Sequence, residues 1–415
     1  MKGLTLVSVM LICILANHMP AMASEFVLEV FGNANMDDVI DQTDIEYAKA
    51  IINKTTESSK LADANLDGKV DEADIAQIRS IISKDEKQLG IVDSSGRSVL
   101  VPRPVNRIVS LSIDDLRVLA ELGAVDNIVG RPEYVDKYAD KLIPLQAHPE
   151  IKDIPSAGGY KTPNIEIMLS LKPDVIFAYG GSSAYTDIAD DIQYKTNIPV
   201  VCIHHSTDSG YKFDLNAFRL VGIVVGKEDR AEELIAYAEK EIAELSEKTS
   251  KIPESEKPRV YFFSAHEADF IENAVPCYGP IDVAGGINVA RELPSCTVAD
   301  ISIEQIIDWN PDIILIHSFS KEPAISVEAV LSDPRLQSIK AVKTGKVYYT
   351  KGFYIGWDPA SGIAESFYLA KLLHPEAFKD LDVEEKGNEI LKQFYGADGL
   401  YTWTLDSVGN YYRWN

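Results

Sequence analysis

Two copies of one short pattern constrain this chain more than anything else in it. From Ala157 to Gly181 (AGGYKTPNIEIMLSLKPDVIFAYGG) and again from Ile301 to Ser320 (ISIEQIIDWNPDIILIHSFS), a glutamate opens a helix-period apolar run. Seven residues after Glu166 comes Pro173-Asp174, and seven after Glu304 comes Pro311-Asp312. A β-rich run follows each dipeptide, Val175 to Ala178 and Ile313 to Ile316. The helix has to stop before the proline, and an unbroken apolar strand suits a parallel sheet covered on both faces. Each copy therefore predicts one helix-to-strand unit of an α/β layer. Two copies 138 residues apart predict two similar lobes with a face between them.

The stretch TPNIEIMLSLKPDVIFAYGG resembles the signature segment of the substrate-binding proteins that deliver cobalamin, haem and ferric siderophores to ABC importers. The resemblance runs from Val101 to Gly396 and implies two Rossmann-like lobes joined by one long, stiff helix. It also implies that a glutamate on the rim of each lobe, here Glu166 and Glu304, docks onto arginines of the membrane permease. On this basis an N-terminal lobe is expected over 104–226, a connecting helix over 227–256, a C-terminal lobe over 257–375 and a tail over 376–415. Asp229 to Ser250 carries the stripe Ala231, Leu234, Ile235, Ala238, Ile242 and Leu245 among Glu and Lys, as a long surface helix should. Such a helix predicts a small hinge between lobes. Arg107 to Ser110 and Val200 to Ile203 read as strands of the first lobe, and Arg259 to Ser264, Val283 to Gly286 and Lys346 to Tyr349 as parts of the second. Ile363 to Leu373 is its final helix, and the tail is rich in Tyr and Trp near its end.

A length of 415 residues calls for two or three units, and a net charge of −24 argues against nucleic acid and anionic membrane surfaces as partners. Lys2, the apolar run Leu4 to Ala16 and Ala21-Met22-Ala23 read as a signal peptide over 1–23, with an uncleaved anchor left open. Export makes a Cys277–Cys296 disulfide feasible, though spacing alone does not decide it, while Cys202 sits in an apolar run and reads as a buried thiol.

Between the leader and the lobes lie two near-repeats thirty residues apart, NANMDDVIDQTD from Asn33 and DANLDGKVDEAD from Asp63. Oxygen side chains recur at loop positions one, three, five, nine and twelve, the spacing that wraps a short loop around Ca²⁺. The expected ligands are Asn33, Asn35, Asp37, Asp41 and Asp44 in the first loop and Asp63, Asn65, Asp67, Asp71 and Asp74 in the second. Only the second has glycine, Gly68, at position six, where Asp38 stands in the first. The pair resembles a type I dockerin over 32–83, a small all-α calcium-binding module. That resemblance implies a cohesin-like partner contacting Gln42-Thr43 and Glu72-Ala73. Lys84 to Gln88 reads as a charged linker, and Ile91 to Val101 as a hairpin turning at Ser94-Ser95-Gly96.

The sequence contains no P-loop, Rossmann glycine fingerprint, nucleophile elbow or H-E-x-x-H, so enzyme catalysis has no positive support. An α/β sheet presents its ligand at the carboxyl ends of strands. The ligand-binding candidates there are Ser112, Arg131, Tyr160, Tyr179 and His205 in the first lobe and His266, Tyr354 and Trp357 in the second. Tyr160 and Tyr179 fall where cobalamin-binding relatives place cleft aromatics, and aromatic rings offer area to a bulky ligand at low entropy cost. The expectation is an exported binding protein that passes an iron chelate, haem or corrinoid to an ABC permease and ATPase. The alternative is a surface scaffold or adhesion protein docking through the calcium loops, followed by an enzyme of similar two-lobed architecture.

Overall fold

The computed structural model describes residues 26–203, 213, 215–265, 271–318, 323–352, 356–408 and 411–414. The leader and the candidate ligand residues His205, His266 and Tyr354 lie outside the described residues.

The chain opens with two helices, α1 (Gln42–Ile52) and α2 (Glu72–Ile82), each begun by a capping box. Asp41 and Asp71 accept from Thr43 N and Ala73 N, while Asp44 and Asp74 accept back from the amides of Asp41 and Asp71 at 2.8 Å. Ala34, Ile45, Ala48, Ile75 and Ile78 fill the space between the helices. This module is not tethered by a linker. Glu86, inside the expected linker, is buried and paired with Arg103 at 2.8 Å, because the hairpin already begins there. Its strands are β1 (Gln88–Val92) and β2 (Ser98–Pro102). Phe31 N bonds to Gly90 O and Val92 N to Glu29 O, so the module's first residues extend the hairpin as a third strand-like edge. Leu28, Val30 and Ile81 join the same apolar core as the first lobe.

In the first lobe β3 (Ile108–Ser110), β4 (Ile128–Gly130), β5 (Val175–Tyr179) and β6 (Val200–Ile203) form a parallel sheet in the order β4-β3-β5-β6. Around it lie α3 (Ile113–Glu121), α4 (Ile165–Leu171), α5 (Ser183–Thr196) and α6 (Asn216–Val225). The connecting helix α7 (Glu228–Ser250) follows and buries the predicted stripe, except that Ile242 is only half-buried. The second lobe is built on β7 (Arg259–Ser264), with β8 (Asn273–Ala274), β9 (Ile287–Asn288) and β10 (Ala299–Asp300) as short edges. After α8 (Ile303–Trp309) come β11 (Ile313–His317) and β12 (Val347–Thr350), parallel to β7 in the order β7-β11-β12. Val283 to Gly286, expected within this lobe's core, ends a helix and turns at Gly285 (φ +76°) before β9 starts. Cys277 and Cys296 are bonded, and Cys202 is a buried free thiol on β6.

The final helix of the second lobe starts four residues earlier than its periodicity suggested, as α9 (Pro359–Leu373), because Asp358 caps it and Pro359 suits its first turn. The expected tail is a structured strap. Its helix α10 (Val383–Tyr395) packs on α9 and reaches α3 in the first lobe. Arg230 of α7 donates to the carbonyls of Gln393 and Phe394, and the Phe394 ring lies 6.1 Å from that of Phe218. Of the last residues, Tyr412 and Trp414 line a half-open cavity beside α9.

The two helix-to-strand units are closed by the same device. α4 and α8 each end on a non-glycine left-handed residue, Lys172 (φ +47°) and Asn310 (φ +44°), and the proline follows. Asp174 then accepts from the amides of Asn106 and Arg107 at 2.8 and 2.9 Å, and Asp312 from Arg259 N at 2.8 Å. The arginines answer, Arg107 donating to the carbonyls of Leu171 and Lys172, and Arg259 to that of Trp309. Asp174→Ala and Asp312→Ala are each expected to lower unfolding free energy by about 1–3 kcal/mol, through orphaned strand amides. Urea denaturation followed by circular dichroism measures this, and unchanged midpoints in both variants would refute the role of the clamp.

Candidate functional site

Parallel strands place their carboxyl ends on one edge of the sheet, so each lobe presents a row of residues there. In the first lobe that row holds Ser110 and Ser112 after β3, Arg131 after β4 and Tyr179 at the end of β5. Tyr179 belongs to a tyrosine cluster. Its ring centre is 5.4 Å from Tyr160 and 5.1 Å from Tyr185, and Tyr160 lies 5.8 Å from Tyr134 and nearly parallel to it. The Lys161 ammonium sits 5.6 Å from the Tyr160 ring centre. All four rings are half-buried. Burial pushes the Tyr134 phenol up to about 12 and raises that of Tyr160, so both remain protonated donors at neutral pH. The cluster therefore offers ring edges, ring faces and hydroxyl donors to a ligand rather than phenolate.

Behind the wall lie buried charges from both lobes. Arg117 of α3 is 5% exposed and pairs with Asp114 at 3.1 Å, and its Nε has no hydrogen-bond partner among the described residues. Gly356, from the loop before α9, meets this pair. A side chain there would overlap the Asp114 carboxylate and come within 2.8 Å of Arg117, so glycine lets the two lobes touch. Lys351, just past β12, is 5% exposed, and burial lowers its ammonium to about 8 against the pull of Asp358 and Glu365. Burial, with the charge of Asp358, raises the Glu121 carboxyl of α3 well above its ordinary value. His317 and Ser264, at the ends of β11 and β7, lie 3.3 Å apart.

The structure brings together Tyr160 and Tyr179 but uses other candidates differently. Ser112 is buried and caps α3, accepting from Asp115 N at 3.1 Å, so its hydroxyl serves the fold. Arg131 is buried and paired with Asp136 at 2.6 Å, with its Nε unpartnered among the described residues. Trp357 was expected to offer an open ring face. It is 5% exposed, packed against Phe213 at 5.9 Å and Tyr278 at 6.0 Å and pressed onto Gly362, so it belongs to the core. Tyr134, Tyr185, Asp114, Arg117, His317 and Lys351 went unnoticed in the sequence. Tyr185 had a readable signal, standing six residues beyond Tyr179 at the start of a helix. Glu166 and Glu304 are both exposed in the first turns of α4 and α8, equivalent places on the two lobes.

The N-terminal loops form a separate candidate. Their donors are all oxygen, the chemistry of a hard cation. Asp44 and Asp74 are buried, and burial raises both carboxyls, Asp44 to about 6, with Asp37 and Asp63 adding repulsion. Carboxylates withheld from water beside like charges fit a bound cation. Several of the oxygens accept loop amides, Asp63 from Asp67 N and Gly68 N, and Asn65 from Asp67 N. Among the described residues no three His, Cys, Asp or Glu side chains converge as a metal-ligand group.

The profile of the periplasmic binding protein family matches residues 108–353. The chain is 27% identical over 332 residues to the molybdate-binding protein MolA of Haemophilus influenzae, covering 74% of this chain and 90% of that one. It is also 27% identical over 260 residues to the Fe(3+) dicitrate-binding periplasmic protein FecB of Escherichia coli, 62% of this chain and 80% of that one. A solved periplasmic solute-binding protein from Veillonella parvula superposes with a TM-score of 0.59 at 24% identity, covering 77% of this chain and 96% of that chain. Among the described residues no helix is long and apolar enough to cross a membrane. These relatives are solute carriers rather than enzymes. With the matched segment spanning more than half its length, the chain belongs to the periplasmic binding protein family and is an extracytoplasmic substrate-binding component of an ABC importer.

Proposed function

We propose that this protein captures a bulky metal chelate, an anionic ferric siderophore, ferric carboxylate or haem in the first place and an uncharged corrinoid as the alternative. It then presents the loaded cleft to its permease through Glu166 and Glu304. The observation that carries this reading is the tyrosine wall at the carboxyl end of β5, with Asp114 of the Asp114–Arg117 pair acting on Tyr160 and with Arg131 and Lys351 buried just past the ends of β4 and β12. Protonated phenols and buried cations suit an oxygen-rich anion with organic bulk, whereas a bare transition ion needs converging imidazole and carboxylate ligands. The relatives named for molybdate and Fe(3+) dicitrate carry anions, which supports the same choice.

The two N-terminal loops, in this proposal, hold Ca²⁺ and give the module a dockerin-like surface for a cohesin-like partner. Gln42, Thr43, Glu72 and Ala73 are all exposed, which leaves both helix starts available. Anchoring at the surface then accompanies transport and does not replace it.

Tryptophan fluorescence titrated with ferric citrate, a ferric catecholate, haem and cobalamin is expected to show saturable quenching by one of them, weakened about tenfold by Tyr160→Ala. Affinity for an anionic complex should fall as pH rises through about 8, because Lys351 is a cation below that value and neutral above it. Lys351→Met should flatten that dependence. Tight binding of free Zn²⁺ or Mn²⁺ with no response to any chelate would overturn the reading.

Glu166→Ala combined with Glu304→Ala is expected to leave ligand affinity unchanged and to suppress uptake, since both side chains are exposed and lie on the α4 and α8 turns rather than at the strand ends. Undiminished uptake by the double variant in reconstituted vesicles would remove them from the docking role.

Calorimetry of the full chain should detect Ca²⁺ binding that Asp67→Ala diminishes, and chelation should lower the thermal midpoint. Absence of any heat of binding would end the calcium proposal.

A further inference from the structure

The aromatic C-terminal segment lies beyond the family-matched residues 108–353. Together with α9 and the start of α10 it lines a half-open cavity of about 770 Å³, within the size range of small-ligand pockets. The cavity's aromatic side is fixed from behind. Tyr368, fully buried on α9, holds the Trp414 ring at 5.6 Å and accepts from Tyr412 N at 3.2 Å. The rings of Tyr412 and Trp414 stand 5.2 Å apart at 84°, and Tyr412 rests on Tyr348 at 5.6 Å. Tyr412 is nevertheless 48% exposed, a large ring held in water by its neighbours. The remaining lining mixes three apolar side chains, Leu381, Val383 and Leu405, with charges in near balance, Lys371, Lys379 and Arg413 against Asp380, Asp382, Glu384 and Glu385.

We infer that this cavity binds a carbohydrate, and specifically a polysaccharide of the cell envelope. The lining selects for that chemistry in three steps. Ordered aromatic rings reward a ligand with a flat apolar face, such as the C–H face of a pyranose. Carboxylates and cations in near balance favour neither a strong anion nor a strong cation, but they donate to and accept from hydroxyls, which act both ways. Seven charged side chains beside the rings and the three aliphatic residues would lose water to a wholly apolar occupant without gaining partners, which disfavours a lipid. An extracytoplasmic protein meets neutral polymers of sugar rings in the envelope. Their binding would hold it near the membrane without occupying the importer cleft.

The test is isothermal titration of the intact protein with cellohexaose and with chitohexaose, alongside co-sedimentation with purified cell walls of the source organism. Saturable binding is expected for at least one oligosaccharide, with co-sedimentation showing that the envelope polymer is its natural source. Tyr412→Ala and Trp414→Ala should each weaken binding about tenfold while the thermal midpoint stays unchanged. Should Trp414→Ala lower the midpoint, the exposed Tyr412 decides the matter alone. Binding of oligosaccharide without co-sedimentation would overturn the envelope assignment. No binding of any glycan, or binding that Tyr412→Ala leaves unchanged, would overturn the site itself.

Discussion

A carboxylate that receives the first amides of a strand, and an arginine from that strand that closes the last carbonyls of a helix, set the geometry of both lobes. A helix ends with unpaired carbonyls and a strand begins with unpaired amides, so each terminus needs the other's partner. Asp174 with Arg107, and Asp312 with Arg259, supply both at once. In the first lobe the clamp fixes where β5 starts relative to β3, with Ile108 opposite Val175 and Ser110 opposite Phe177. In the second it fixes β11 against β7, with His317 opposite Ser264. The register set at the strand starts carries through to their carboxyl ends, where Tyr179 and His317 stand.

Between the lobes the contact is polar and tight. Arg117, Asp114, Lys351, Asp358 and Glu121 bring several charges into a region where the protein excludes water, and such groups gain net stability only when paired well. Burial answers part of that cost by raising the Glu121 carboxyl well above its ordinary value and by weakening the hold of Lys351 on its proton. The lobes are also tied twice behind the cleft, by α7 running between them and by α10 reaching from α9 to α3. A closing motion has to bend a helix of 23 residues and shear the α10 packing, so a small hinge follows from two ties where the sequence suggested one.

The two lobes, the connecting helix and the exposed glutamates were legible because each rests on local order: an apolar period, a proline, a capping position. What escaped was non-local. Arg107 and Arg259 give no sign in sequence that they serve carbonyls 50 to 65 residues away. Tyr134 joins Tyr160 only because the loop after β4 folds over the one before α4. Trp357 misled for a related reason, since an aromatic residue near a strand end reads the same whether its ring lines a cleft or fills a core. The C-terminal strap was not legible as an element, because a Tyr- and Trp-rich tail could pack on the lobes or cap a surface, although Ile390, Leu391 and Phe394 make the apolar face of α10 plain once Tyr395 and Gly396 are recognised as its end.

The N-terminal module shows how much a linker-like composition can hide. Lys84 to Lys87 is charged throughout, yet the chain there is pinned by the Glu86–Arg103 pair and by Lys84 with Glu228. Gly90 of β1 has no room for a side chain: one would stand 2.9 Å from Leu66 and 3.1 Å from Phe31. Leu66 lies between Asn65 and Asp67 of the second loop, so that loop packs directly on the hairpin. The hairpin continues the contact into the sheet, where Asp93 accepts from Cys202 N at 3.0 Å and Ser94 N donates to Cys202 O at 3.1 Å. Cys202 lies on β6, the neighbour of the strand that carries Tyr179. The module is thus part of the body of the first lobe. A partner that grips it fixes the orientation of the cleft as well as its position, which a flexible tether would not do.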